Sequence, residues 1–172
     1  RDAQRADASA EQLRANWQKV PKPLQRDVAL VETYARSLMR LGDHDFAEDV
    51  LLRALKNDWQ GALVRLLGLV QAGDAQRQLA RAESLLPSHP GDAEFLLCLG
   101  RLSMRAKLWG KARDYFESSY RLDHSVEVCA ELGRLLEGLG EPAVAAAYFR
   151  EGLLLREDGL PALPMPEKIV PD

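Results

Sequence analysis

Six arginines, Arg36, Arg40, Arg65, Arg101, Arg105 and Arg134, stand out among the residues whose type and spacing can do chemistry. Arg36, Arg101 and Arg134 fall at one phase of a unit of about 33 residues, and Arg40 and Arg105 share a second phase. A guanidinium presents a planar fork of donors that matches a carboxylate, so the chemistry this pattern offers is recognition rather than bond-making. The clustering runs against a formal net charge of −3. The alternative is an ordinary solvated helix face, since arginine forms helices well and Glu32, Glu94, Glu127 and Glu137 lie nearby to balance it.

The remaining reactive residue types do not assemble into a catalytic or metal-binding pattern. His44, His89 and His124 all fall in expected turns, His44 in one class of turn and the other two in the opposite class. No pair has the i, i+4 spacing or the Cys-x-x-Cys partner that zinc sites favour, and the Cys-x-x-Cys-His attachment motif for haem is absent. Cys98 and Cys129 each sit inside an apolar helical run and read as buried small hydrophobes. A sequence pI near 5.7 argues against nucleic-acid binding. No Gly-x-Gly-x-x-Gly fingerprint of a dinucleotide fold occurs. The expectation is therefore a protein that is not an enzyme and holds no dedicated cofactor or metal.

The elements that must carry these arginines repeat. Taking Tyr34-Ala35 as a marker, the equivalent pairs are Leu67-Gly68, Leu99-Gly100 and Leu132-Gly133. Thirteen residues on come Ala47, Ala80, Ala112 and Ala145, and seventeen on come Leu51, Ser84, Phe116 and Phe149. Small residues where helices touch and large ones where gaps must be filled are the mark of stacked helical hairpins. The spacing resembles the tetratricopeptide repeat (TPR), with the second copy degenerate at Ser84 and Pro87. The expected fold is all-α, a right-handed TPR-type helical-hairpin solenoid. Residues 1–20 form a leftover helix packing on the array, residues 24–157 four hairpins, and residues 158–172 a Pro-rich tail. Helices are expected over Ala3–Gln18, Leu24–Leu41, Phe46–Asn57, Gly61–Ala72, Ala75–Leu86, Asp92–Ala106, Leu108–Leu122 and Val126–Leu139, with a last one starting at Pro142. In the tail, Leu160, Leu163 and Met165 either return over the last hairpin or stay disordered. In TPR arrays the residue two past each marker's first member points into the concave groove, which places Arg36, Arg101 and Arg134 there, and Arg65 two before a marker with Arg40 and Arg105 six after are expected to share that binding face. Glu32 and Arg36 replace the Lys and Asn that open the pattern of the chaperone-type carboxylate clamp, so chaperone tails are not the expected ligand. Trp59 and Trp109 are expected to plug the seams between hairpins.

A more specific likeness rests on three strings. One is His89-Pro-Gly-Asp-Ala-Glu-Phe-Leu-Leu-Cys-Leu-Gly-Arg-Leu followed by Leu108-Trp-Gly-Lys-Ala-Arg-Asp-Tyr-Phe-Glu-Ser-Ser119. The others are Leu55-Lys-Asn-Asp-Trp59 running into Leu63-Val-Arg-Leu-Leu-Gly68, and Trp17 followed by Val20-Pro21. Together they resemble the C-terminal TPR region of the HemY family, inner-membrane proteins of Gram-negative bacteria assigned to late haem biosynthesis. That resemblance implies a two-helix N-terminal membrane anchor absent from this chain, and a TPR domain on the cytoplasmic side of the inner membrane. It implies a protein–protein interaction scaffold whose partners are haem-pathway enzymes. Two alternatives stay open: a porphyrin or haem carrier using the arginine groove, its ligand announced by no motif, and a TPR adaptor in envelope assembly.

Overall fold

A computed structural model of the chain describes residues 2–156; the Pro-rich tail and its return over the last hairpin lie outside the described residues. Among them are nine α-helices and no strand, and the fold is the expected all-α class of TPR-type hairpins. The helices are α1 (Asp2–Lys19), α2 (Val28–Arg40), α3 (His44–Asn57), α4 (Gly61–Leu67), α5 (Ala75–Glu83), α6 (Ala93–Arg105), α7 (Trp109–Leu122), α8 (Val126–Gly138) and α9 (Pro142–Leu154). The chain divides into two compact units, one up to His124 and one from Ser125.

Helix starts are set by side chains that satisfy orphan amides. The carboxylates of Asp27, Asp74 and Asp92 accept from the amides of Leu30, Arg77 and Phe95, and the Ser125 hydroxyl accepts from Val128 N–H. Asp27 also corrects the expected first boundary. Residues Leu24–Arg26 form a separate 3₁₀ turn, and α2 begins only after the Asp27 cap. Asp43, which precedes α3, makes no capping bond and instead pairs with Arg14 of α1 at 3.3 Å.

Three hairpins close their first helix in the same way. In each, the amide two residues past the last full turn reaches back five residues: Asp43 to Leu38, Leu108 to Ser103 and Glu141 to Leu136, all at 2.9 Å. This six-to-one bond needs a left-handed residue just before it. Gly42 (φ +82°) and Gly140 (φ +81°) supply it without strain, whereas the third hairpin uses Lys107 (φ +59°).

The marker residues Tyr34, Leu67, Leu99 and Leu132 are all buried, as are Ala47, Ala112 and Ala145. Gly100 and Gly133 follow two of those markers because the next helix comes too close for a side chain. A Cβ at Gly100 would lie 2.3 Å from the Phe116 ring, and one at Gly133 would lie 2.4 Å from the Phe149 ring. Full burial of a ring such as Phe116 contributes about 1.5–3 kcal/mol, which only glycine's missing side chain permits.

The second hairpin departs from this register. Its first helix stops at Leu67 instead of Ala72, and residues 68–74 run irregularly. The partner helix then arrives with another phase. Ala80 is exposed, and Gln78, Leu79 and Ala82 are buried in its place.

Successive hairpins of the first unit are joined by contacts one repeat apart. Arg81 of α5 reaches Glu48 (3.1 Å) and Asp49 (2.6 Å) of α3, and Glu83 of α5 accepts from Lys111 (2.9 Å) and Tyr115 (2.6 Å) of α7. Trp59 plugs a seam as expected. Its indole N–H donates to Asp92 at 2.7 Å, one face stacks on His89, and Phe95 meets it edge-on. Trp109 does not: it opens α7 and remains 42% exposed. At the front of the unit, Trp17 of α1 stacks on Tyr34 with ring centroids 4.0 Å apart.

Candidate functional site

The six arginines have unequal fates, and their partners decide what each can do. Arg36 is exposed on α2, and its guanidinium holds Glu32 one turn back (2.7 Å). Arg40, also exposed, donates to the Ser37 hydroxyl at 3.1 Å. Exposed i, i+4 pairs are worth only about 0.3–0.5 kcal/mol, so an incoming carboxylate displaces such a partner at little cost. Arg36 and Arg40 line one recess of about 460 Å³, together with Met39, His44, Leu66 and Leu69. Leu69 is 46% exposed. Two guanidiniums thus stand beside an apolar wall, an arrangement suited to a ligand with both a carboxylate and a hydrophobic part.

Arg65 of α4 is turned toward Glu94 of α6. Arg101 on α6 is half-buried, its stem passing over Gly68, where a Cβ would lie 3.5 Å from its Cδ. Arg134 belongs to the second unit and pairs with Glu131 at 2.6 Å.

Arg105 does something sequence spacing gives no hint of. Its guanidinium donates to the carbonyls of Val70 (3.4 Å) and Ala72 (2.9 Å) and to the Gln78 side chain, and Gln78 in turn donates to Val70. These are the backbone acceptors that the early end of α4 leaves without helical donors. The amides of the same segment are met from the first hairpin: Gln71 N–H donates to His44 Nδ1 (3.2 Å) and Gly73 N–H to Asp45 (3.1 Å). Arg105 and His44 therefore act as clamps on the irregular segment.

Both cysteines are buried and free. Burial pushes the Cys98 thiol up to about 12 and the Cys129 thiol up to about 11, so neither supplies a thiolate near neutral pH. His89 and His124 stack on Trp59 and Tyr120. Among the described residues, no group of three or more His, Cys, Asp or Glu side chains is placed to hold a metal ion. No described helix is long and apolar enough to cross a membrane.

Comparison with known proteins agrees with the strings quoted above. No family model matches the chain. It is similar to Protein HemY of Escherichia coli K12, 28% identical over 155 residues that make up 90% of this chain, and equally so to Protein HemY of Shigella flexneri. The chain resembles HemY along nine-tenths of its length. It spans 39% of the length of those relatives. Among solved structures, "MamA 41-end from Desulfovibrio magneticus RS-1" superposes with a TM-score of 0.56 at 18% identity, covering 93% of this chain and 98% of that one. A second MamA crystal structure gives the same score, covering 96% and 93%. At that identity the likeness speaks for the fold alone.

Proposed function

We propose that this chain is a non-enzymatic protein-interaction module of a HemY-like protein, docking haem-pathway enzymes at the cytoplasmic side of the bacterial inner membrane. In this reading residues 24–157 act as one array of four hairpins, with α1 as the leftover helix of a preceding one. The observation that carries it is the recess where Arg36 and Arg40 stand beside exposed Leu69, on helices of TPR type, in a chain similar to HemY. Arg65, Arg101 and Arg134 extend the set of carboxylate-binding candidates. Arg105 contributes by holding the wall, since its donors are already taken.

Affinity capture with the full-length membrane protein tests this. Reversal of Arg36, Arg40 and Arg134 to Glu leaves the helical circular dichroism unchanged, because all three are exposed and exposed substitutions usually cost within ±0.5 kcal/mol. It abolishes recovery of ferrochelatase or a porphyrinogen oxidase, and native capture weakens with salt because exposed charge attraction is screened. Unchanged capture by the folded triple variant, or recovery of envelope-assembly partners alone, sinks the reading.

Porphyrin carriage is the second reading, favoured by one observation. His44 lines the same recess as the two arginines, and because its Nδ1 accepts from Gln71 N–H, the neutral ring carries its proton on Nε2 as a further donor for a propionate. Guanidiniums suit propionates, and the buried cysteines leave no thiolate to serve as a ligand. Haem titration of the chain is expected to give a weak Soret change that His44→Ala removes and that Cys98→Ser or Cys129→Ser leaves in place. A tight, stoichiometric spectrum altered by either cysteine change contradicts this.

A further inference from the structure

A second cleft lies away from the arginine recess, on the first unit's other side chains. It is enclosed by Trp17 of α1, Val28 and Val31 at the start of α2, Val50 and Ala54 of α3, and Leu63 of α4, with a volume of about 490 Å³. That size falls within the range of ligand pockets, roughly 300–1,000 Å³. Val31 and Leu63 are fully buried and form the floor, while Trp17, Val28, Val50 and Ala54 are half-buried and form the walls. Trp17 is held rigidly, stacked on Tyr34, so one wall is a preorganised aromatic face.

The rim is basic. Lys22, Arg26 and Arg53 line it, and none of the three makes an ion pair with another described residue. Other basic residues of the same unit do have carboxylate partners: Arg14 with Asp43, Arg77 with Asp45, and Arg81 with Glu48 and Asp49. Three unmatched cations around an apolar floor, in a chain of net charge −3, form a local excess of donors. One carboxylate, Asp58, stands on the same rim and accepts from Gln60 at 2.9 Å.

We infer that this cleft binds a linear protein segment in which a bulky apolar side chain is flanked by carboxylates. The apolar side chain enters between Trp17 and Val50, and the carboxylates meet Arg26 and Arg53, whose forks donate to them in two-point fashion. A segment fits the charge pattern better than an anionic lipid surface. Such a surface would press its phosphates on Asp58 and on an overall negative chain, whereas a single segment meets only the local cations. The site shares no residue with the Arg36–Arg40 recess, so it stands or falls independently of the docking function proposed above.

Selection of a displayed random-peptide library on the 172-residue chain tests the inference. Enriched peptides are expected to carry Asp or Glu beside Leu, Phe or Trp, and to shift the indole N–H resonance of Trp17. The double variant Arg26→Glu/Arg53→Glu should weaken them by about tenfold or more, while Arg26→Lys/Arg53→Lys, which keeps the charge but loses the fork, weakens them less than the reversal does. Lys22→Glu, placed in a connecting turn, gives a second reversal whose folding is not at risk. Enriched peptides without acidic residues, affinities untouched by these reversals, a stationary Trp17 resonance, or capture of the chain by anionic phospholipid vesicles in place of any peptide would each overturn it.

Discussion

At the scale of single residues, Lys107 carries the clearest local strain. It occupies the left-handed conformation that Gly42 and Gly140 occupy at the same place in their hairpins. A side chain there costs about 1–2 kcal/mol relative to glycine, partly offset because glycine gains freedom in the unfolded chain. Lys107→Gly should therefore raise stability by about 0.5–1 kcal/mol, read as a higher midpoint in urea unfolding with an unchanged slope. A lower midpoint would mean that the lysine makes a compensating contact. The equivalence of positions 42, 107 and 140 was present in the repeat spacing, but spacing does not say which residue must turn left-handed. Only the six-to-one bonds reveal it.

At the scale of elements, the second hairpin is where sequence and structure part. The apolar run from Gly61 to Val70 reads as one helix, and the turn at Gly73-Asp74 reads as its end. The helix stops earlier because the carbonyls and amides of the segment after Leu67 find partners outside it: Arg105 and Gln78 on one side, His44 and Asp45 on the other. Three of those partners lie 27 to 33 residues away along the chain, so no local pattern announces them. The same fact explains the misplaced phase of Ala80 and why Arg105 is not available to a ligand. Arg105→Met should cost about 2–3 kcal/mol, since it leaves part-buried carbonyls without a charged donor. Amides of residues 68–74 should then exchange faster than those of α6. An exposed control, Arg36→Met, should stay within about 0.5 kcal/mol of the parent. Equal losses in the two variants would show that Arg105 is as dispensable as a surface residue. By contrast, the other three hairpins and the buried marker residues were legible in advance, because each rests on contacts within one repeat period, and the seam position of Trp59 followed from its place at the turn between two hairpins.

At the scale of the whole molecule, cohesion in the first unit runs from each hairpin to the next through charged pairs one repeat apart. Glu48 is the point where that ladder enters the core. Its side chain is fully buried, and burial raises its carboxyl above the usual carboxylate range, partly opposed by Arg81. Asp45, Asp49 and Arg77 also face it. A raised native value means the folded state binds more protons than the unfolded state between the two values. On this group's account, stability thus falls as pH rises from the ordinary carboxylate range through the folded value. Glu48→Gln removes the buried charge, and Arg81 keeps Asp49 as its partner. Near neutral pH the variant should match or exceed the parent by about 1 kcal/mol, with the difference shrinking as pH falls. Thermal melts from neutral to mildly acidic pH check this, and a variant destabilised at every pH would show that the Glu48–Arg81 pair holds the hairpins together.

The clamp formed by Arg105 also bears on how such an array can be edited. Repeat proteins are commonly treated as strings of exchangeable modules that can be duplicated, deleted or shuffled one at a time. Hairpins two and three of this chain are not separable in that sense. Removing the second strands a guanidinium without its acceptors, and transplanting the second alone delivers an unwound segment to a neighbour with nothing to hold it. A graft or consensus redesign of this array therefore has to carry residues 61–122 together, with His44 and Asp45 of the preceding hairpin to meet the amides of the same segment.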